Sequence, residues 1–78
     1  MWESIEYDQL VVGNYVQCET FTYSQKYIEF NFTREGVLVY KDKNPYNSKI
    51  VDSYGNEIEL CVMVGTSGDY YFKKQIIN

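Results

Sequence analysis

Residues 27–41, YIEFNFTREGVLVYK, decide the fold that this sequence predicts. Apolar and polar side chains alternate up to Phe32, which is the period of a strand with one buried face. The next four residues, 33–36, form a predicted turn that ends in Gly36, because glycine adopts positive φ without a steric penalty. The hairpin would pair Phe32 with Leu38 and Phe30 with Tyr40, so that four large side chains share one face.

Two further four-residue stretches also end in glycine and predict turns of the same kind. The turn at 52–55 pairs Lys49 with Glu59, because the rival register would place two carboxylates directly opposite each other, which is destabilising. The turn at 65–68 pairs Val62 with Phe72. We therefore expect positive φ at all three final glycines, which are Gly36, Gly55 and Gly68.

The composition favours strands over helices. None of the 78 residues is alanine, the strongest helix former, and 18% of them are aromatic. We predict a single all-β domain over residues 1–78, a five- to six-stranded antiparallel meander curled into an SH3-like or OB-like barrel or roll. The segment 10–16, in which a leucine and a glycine precede an apolar strand, is similar to the entry of small SH3-like barrels.

The N-terminal third is less regular. Residues 15–23 form one predicted strand whose apolar side chains change face, which indicates a bulge near Glu19 or Thr20. Gly13 is expected to mark a kink or a close backbone approach. Residues 1–9 are expected to form an irregular arm or an edge strand, with Trp2 covering the strand after Gly36. The predicted core consists of Ile28, Phe30, Phe32, Leu38, Ile58, Leu60, Val62 and Phe72.

The residue types argue against catalysis. The chain contains no histidine, which removes the commonest general base and metal ligand. Cys18 and Cys61 lie far apart in the sequence and lack the further ligands that a zinc site needs. We therefore expect no enzyme, no metal and no cofactor, and two reduced cysteines that pack as small apolar side chains.

Charge and tyrosine content point to a binding role. Residues 1–40 contain six acidic and two basic residues, whereas residues 41–78 contain five of each, so the first part holds the whole net charge of −4. An acidic surface favours a basic partner. Tyrosine, present nine times, is enriched at the centres of protein interfaces. We predict a partner-binding surface in the acidic half, made of Tyr15, Glu19, Tyr23, Tyr27, Glu29 and Glu35.

The sequence therefore favours a non-catalytic protein-binding module. Its sharpest form is an acidic, phage- or mobile-element-type inhibitor that covers a basic surface of a nucleic-acid-handling host protein. An AT-rich gene would explain why isoleucine, asparagine and lysine are common and alanine is absent. The alternative is a small nucleic-acid-binding domain that would use Lys41, Lys43, Lys49, Lys73 and Lys74.

In the protein-binding interpretation, changes at Lys73 or Lys74 would matter little. No secretion leader and no apolar run of membrane length is recognisable, so we expect a cytoplasmic protein without membrane contact. The sequence leaves the oligomeric state open.

Overall fold

The computed structural model describes the backbone of residues 1–23, 29–61 and 68–76, and the side chains of residues 1–21, 32–61 and 69–76. These residues form one antiparallel sheet of six strands, and the first and second 3₁₀ helices lie at Tyr7–Gln9 and Pro45–Asn47. Within these ranges no helix is long and apolar enough to cross a membrane. The strands are β1 (Trp2–Ile5), β2 (Tyr15–Tyr23), β3 (Glu29–Tyr40), β4 (Lys49–Val51), β5 (Glu57–Glu59) and β6 (Gly68–Gln75).

The strand order is β1-β6-β2-β3-β4-β5. The predicted all-β antiparallel class is confirmed, but only β2 to β5 follow each other as a meander. β6 returns across the molecule and lies between β1 and β2. Of the strands described, β1 and β5 are the two edges, so the sheet is not closed into the expected barrel.

Residues 29–40 form one long strand, so the predicted hairpin at 33–36 is wrong. β3 pairs with β2 from Glu29 to Val37, and Leu38 then pairs with Ile50 of β4 instead of with Phe32. Gly36 is buried within this strand and does not have positive φ. A Cβ atom at Gly36 would lie 2.2 Å from the carbonyl oxygen of Val51. The glycine therefore permits a close approach of two backbones and does not form a turn.

The predicted turn at 52–55 is confirmed. The N–H of Gly55 donates to the carbonyl of Asp52 at 3.0 Å, and Gly55 has a φ of +83°. The Asp52 carboxylate accepts hydrogen bonds from the N–H groups of Tyr54 and Asn56, each at 2.9 Å. Lys49 pairs with Glu59 as predicted, and Ile50 pairs with Ile58.

Residues 65–67 of the predicted turn at 65–68 lie outside the described residues, whereas Gly68 is the first residue of β6 and pairs with Thr22 of β2. Phe72, however, pairs with Ile5 of β1 and with Cys18 of β2 instead of with the predicted Val62. The cause is the return of β6 to the N-terminal strands, which no local turn signal in the sequence specifies.

β2 has the predicted bounds but not the predicted bulge. Its register against both β3 and β6 is continuous, so Cys18 and Thr20 face the core while Phe21 faces the opposite side. Gly13 has a φ of +102°, and no heavy atom lies within 4 Å of the position that a Cβ atom would take there, so it serves a turn and not a close approach. Trp2 lies on an edge strand, as one alternative predicted, but it stacks on Tyr15 of β2 instead of covering the strand after Gly36.

The predicted core is confirmed in part, and the structure adds core residues that were not predicted. Leu38 and Leu60 are buried as expected, and Ile58 and Phe72 pack against the core. Phe32 is 43% exposed, because it lies about 20 Å along β3 from Leu38. The side chains of Ile28, Phe30 and Val62 lie outside the described residues. Among the described side chains, the buried apolar residues are Leu10, Val16, Cys18, Leu38, Ile50, Leu60 and Cys61.

The sheet is strongly curled around this core. Cys18 lies on β2 and Cys61 follows β5, and a flat sheet would place these strands about 14 Å apart. Their sulfur atoms are nevertheless 3.3 Å apart. Arg34 of β3 likewise reaches the carbonyl oxygen of Glu59, at 2.8 Å. The concave side therefore encloses the core, and the convex side faces outward.

Candidate protein-binding surface

The convex side of the sheet, called the outer face below, carries the side chains that alternate with the core residues. Residues directly opposite each other in paired strands share a face, so the register identifies its members. The face spans all six strands, because each strand contributes at least one side chain to it. Among the described side chains, its aromatic, valine and charged members are Trp2, Tyr15, Glu19, Phe21, Glu35, Val37, Tyr40, Lys49, Val51, Glu57, Glu59, Asp69, Tyr71 and Lys73.

An aromatic stack lies at one side of this face. The indole of Trp2 reaches across β6, so that its ring centroid is 5.8 Å from that of Tyr15. The Tyr15 hydroxyl donates a hydrogen bond to the Glu35 carboxylate at 3.0 Å. This hydrogen bond raises the pKa of Tyr15 and keeps the hydroxyl protonated. The ring contact and the hydrogen bond thus fix the positions of Trp2, Tyr15 and Glu35 relative to one another.

Further apolar side chains extend the surface. Val37 is 40% exposed, although valine is usually buried. Phe21 packs edge-on against Tyr71, with ring centroids 5.6 Å apart, and Tyr71 remains 54% exposed. The outer face therefore presents aromatic and aliphatic area to solvent on both sides of its charged residues.

The outer face is also the acidic side of the molecule. Among the side chains that the structure describes, it holds five carboxylates and two lysines, a net charge of −3. Lys73 lies 3.7 Å from Glu19, and Lys49 lies 3.6 Å from Glu59. Both ion pairs are partly exposed, so each adds little to stability. Their main effect is to neutralise the two lysines, so that within the described part of the chain no ion pair balances the charges of Glu35, Glu57 and Asp69.

A groove of about 560 Å³ opens where β1 ends and leaves part of β6 uncovered. Glu6, Glu19 and Lys73 contribute charged side chains to its lining, while Tyr7 and Tyr71 contribute aromatic ones. Tyr7 is held in place because its hydroxyl donates to the carbonyl oxygen of Asp42 at 2.6 Å. Because Lys73 pairs with Glu19, Glu6 is the carboxylate of the lining that suits the cationic head of a basic side chain, and the aromatic walls suit its alkyl stem.

The structure places half of the predicted binding residues together. Tyr15, Glu19 and Glu35 all lie on the outer face. The backbones of Tyr23 and Glu29 pair with each other, but their side chains lie outside the described residues, as does all of Tyr27. Trp2, Phe21, Val37 and Tyr71 also lie on the outer face but were not among the predicted binding residues. Strict alternation along β2 would have found Phe21, whereas Trp2 and Tyr71 depend on the long-range pairing of β6.

Three of the lysines that the nucleic-acid-binding alternative would use lie in different parts of the fold. Because β6 lies beside β2, Lys73 belongs to the outer face instead of to a separate neutral half. Lys74 lies on the concave side, opposite Val16. Lys41 donates to the carbonyl oxygen of Asp8 at 3.0 Å and lies over the ring of Tyr7. Charge is thus divided between two faces, and these lysines do not form a single basic patch.

Comparisons with known proteins add no family. No protein-family model matches the chain, and no curated protein or solved structure resembles it significantly. Across the residues that the structure describes, no three acidic, cysteine or histidine side chains are arranged to hold a metal ion. The outer face and its groove are therefore the features on which a function can be argued.

Proposed function

We propose that this protein is a non-catalytic binding module whose outer face binds a basic surface of another protein. The observation that carries the proposal is the combination, on one face, of a net charge of −3 among the described side chains with the Trp2–Tyr15 stack and the exposed Val37. Exposed apolar area on an otherwise well-packed small domain is characteristic of interaction sites.

The two components of the surface have different physical roles. Carboxylates at Glu35, Glu57 and Asp69 create a field that attracts a cationic partner and raises the association rate. Trp2 and Tyr15 provide stiff, amphipathic area that loses water on binding, and such residues dominate interface energies. The groove at the end of β1 would accept a lysine or arginine side chain of the partner next to Glu6 and the aromatic walls.

In its sharper form, the proposal is that the module inhibits a nucleic-acid-handling protein, as an acidic inhibitor of phage or mobile-element type would. Proteins that grip nucleic acid neutralise phosphates with clustered lysine and arginine side chains. An acidic face with aromatic anchors competes for the same side chains. Binding of the module and of nucleic acid to that partner would therefore be mutually exclusive.

Affinity capture from the source cell tests the proposal when three baits are compared: the wild type, Glu35→Lys and Glu3→Lys. Glu3 is exposed and lies on the opposite side of β1 from Trp2, so its variant makes the same charge change away from the outer face. A genuine partner is retained by the wild type and by Glu3→Lys, but is lost from Glu35→Lys.

The captured protein is then purified and its binding to the module is measured with and without competing nucleic acid. Equal retention by all three baits would contradict the role of the outer face. Direct retention of nuclease-sensitive nucleic acid by the module, abolished by lysine substitutions, would instead establish the nucleic-acid-binding alternative.

A further inference from the structure

The core contains two thiols in direct contact. Cys18 of β2 and Cys61 after β5 are each 1% exposed, and both are free cysteines. Their sulfur atoms are 3.3 Å apart, although 43 residues separate them in the sequence. A disulfide bond requires a sulfur–sulfur distance of about 2.05 Å, so the two atoms need to approach by little more than an ångström.

The surroundings of the two sulfur atoms make them chemically different. The hydrogen bond from the Cys61 thiol lowers the pKa of Cys18, and the Thr20 hydroxyl and the charge of Arg34 act in the same direction against the effect of burial. The same hydrogen bond raises the pKa of Cys61, and burial adds to that increase. Cys18 is therefore the thiol that forms a thiolate more readily, and the thiolate is the reactive form.

We propose that Cys18 and Cys61 are a redox modification site that forms an intramolecular disulfide with a small-molecule disulfide such as oxidised glutathione. When local opening of the core exposes Cys18, its thiolate attacks one sulfur of the oxidant, forms a mixed disulfide and releases the first glutathione thiolate. Cys61 then loses its proton and attacks the Cys18 sulfur, which releases the second glutathione thiolate. The two protons from the protein thiols end on the two glutathione thiolates, so one oxidised glutathione becomes two reduced molecules.

The position of the bond gives it a mechanical consequence. The covalent link would connect β2 directly to the chain just after β5, across two intervening strands and through the core. It would hold the curl of the sheet that presents the outer face. The native fold already places the two sulfur atoms in contact, so it greatly favours ring closure over a second mixed disulfide.

Redox titration of the intact protein tests this site. The protein is equilibrated in buffers of defined reduced and oxidised glutathione, quenched with an alkylating reagent and analysed by intact mass and peptide mapping. We expect a product that is lighter by two hydrogens and carries no glutathione, with linked peptides containing Cys18 and Cys61. The same titration in concentrated guanidinium chloride supplies the matched control. At the midpoint of each titration, the ratio of the squared concentration of reduced glutathione to the concentration of oxidised glutathione is compared. This ratio should be at least about 100-fold higher for the folded protein than for the chain unfolded in guanidinium chloride.

Single variants separate the two steps. Cys61→Ser should stop at the Cys18 mixed disulfide, and should do so faster than Cys18→Ser forms its adduct at Cys61. Equal disulfide formation by the folded and unfolded chains would overturn the proposal. So would folded protein that keeps both thiols alkylatable after unfolding, or that accumulates glutathione adducts on both cysteines.

Discussion

Gly36 offers a direct test of the packing between β3 and β4. A Cβ atom there would lie 2.2 Å from the Val51 carbonyl oxygen, 2.8 Å from the Val51 carbonyl carbon and 3.2 Å from the Asp52 nitrogen. Real Cβ atoms essentially never approach closer than 3.0 Å, so the Val51 carbonyl must move by at least 0.8 Å in Gly36→Ala. Backbone atoms of a paired strand cannot move as a flexible side chain does. We therefore expect a loss of about 3 kcal/mol, the upper end of the range for overpacking.

A second substitution distinguishes this explanation from a left-handed turn. Asparagine tolerates positive φ better than alanine, so Gly55→Asn should be more stable than Gly55→Ala, because Gly55 has a φ of +83° and open space around it. At Gly36 the order should reverse, because asparagine is larger and φ is not positive. Urea denaturation measures both pairs, and a loss of about 3 kcal/mol lowers the midpoint by about 2 M for a domain of this size. A Gly36→Asn protein as stable as the wild type would refute the close-approach argument.

The core, the 41–48 connection and the outer face each yield a further prediction. Leu38→Ala should cost about 2–5 kcal/mol in urea denaturation, and Phe32→Ala should cost less, because Leu38 is fully buried and Phe32 is 43% exposed. The hydrogen bond from the N–H of Asn44 is the main reason why the pKa of Asp42 is lowered in the folded protein. The ionised Asp42 therefore stabilises the fold at pH values above 3.8, the ordinary pKa of aspartate, and this stabilisation is lost as the pH falls through the lower pKa of the folded state. The urea midpoint should therefore fall less between about pH 5 and about pH 2 in Asp42→Asn than in the wild type. Lys73→Gln should increase the association rate with a basic partner, because it releases Glu19 from its ion pair; an unchanged or lower rate would contradict this placement of Lys73.

The sequence predicted those features that depend on neighbours in the chain. The turn at 52–55 was predictable because an aspartate and a glycine at its two ends specify its conformation, and the charges of Lys49 and Glu59 specify its register. The strand at 15–23 was predictable because its residue types favour strands over nine positions.

Two features could not be predicted. One is the role of Gly36, because a glycine in a strand-like sequence has more than one structural explanation, and the other is the position of β6. Gly36 after an alternating strand indicates a turn as readily as it indicates a close backbone approach, and only the position of Val51 decides between them. The return of β6 to β2 is a long-range pairing without a local signal. That return determines which charges share a face, so three of the predicted site residues were found while Trp2, Tyr71 and the position of Lys73 were not.

A binding site on the outer face is tested most sharply by the association rate of a purified partner, identified by the capture experiment. Wild type, Glu35→Lys and Glu3→Lys are compared over a range of salt concentrations, because attraction between exposed charges is screened by salt. We predict that Glu35→Lys associates at least about tenfold more slowly at low salt and depends less on salt, while Glu3→Lys changes much less. Equal slowing by Glu35→Lys and Glu3→Lys, or no slowing by Glu35→Lys, would contradict a binding site on the outer face.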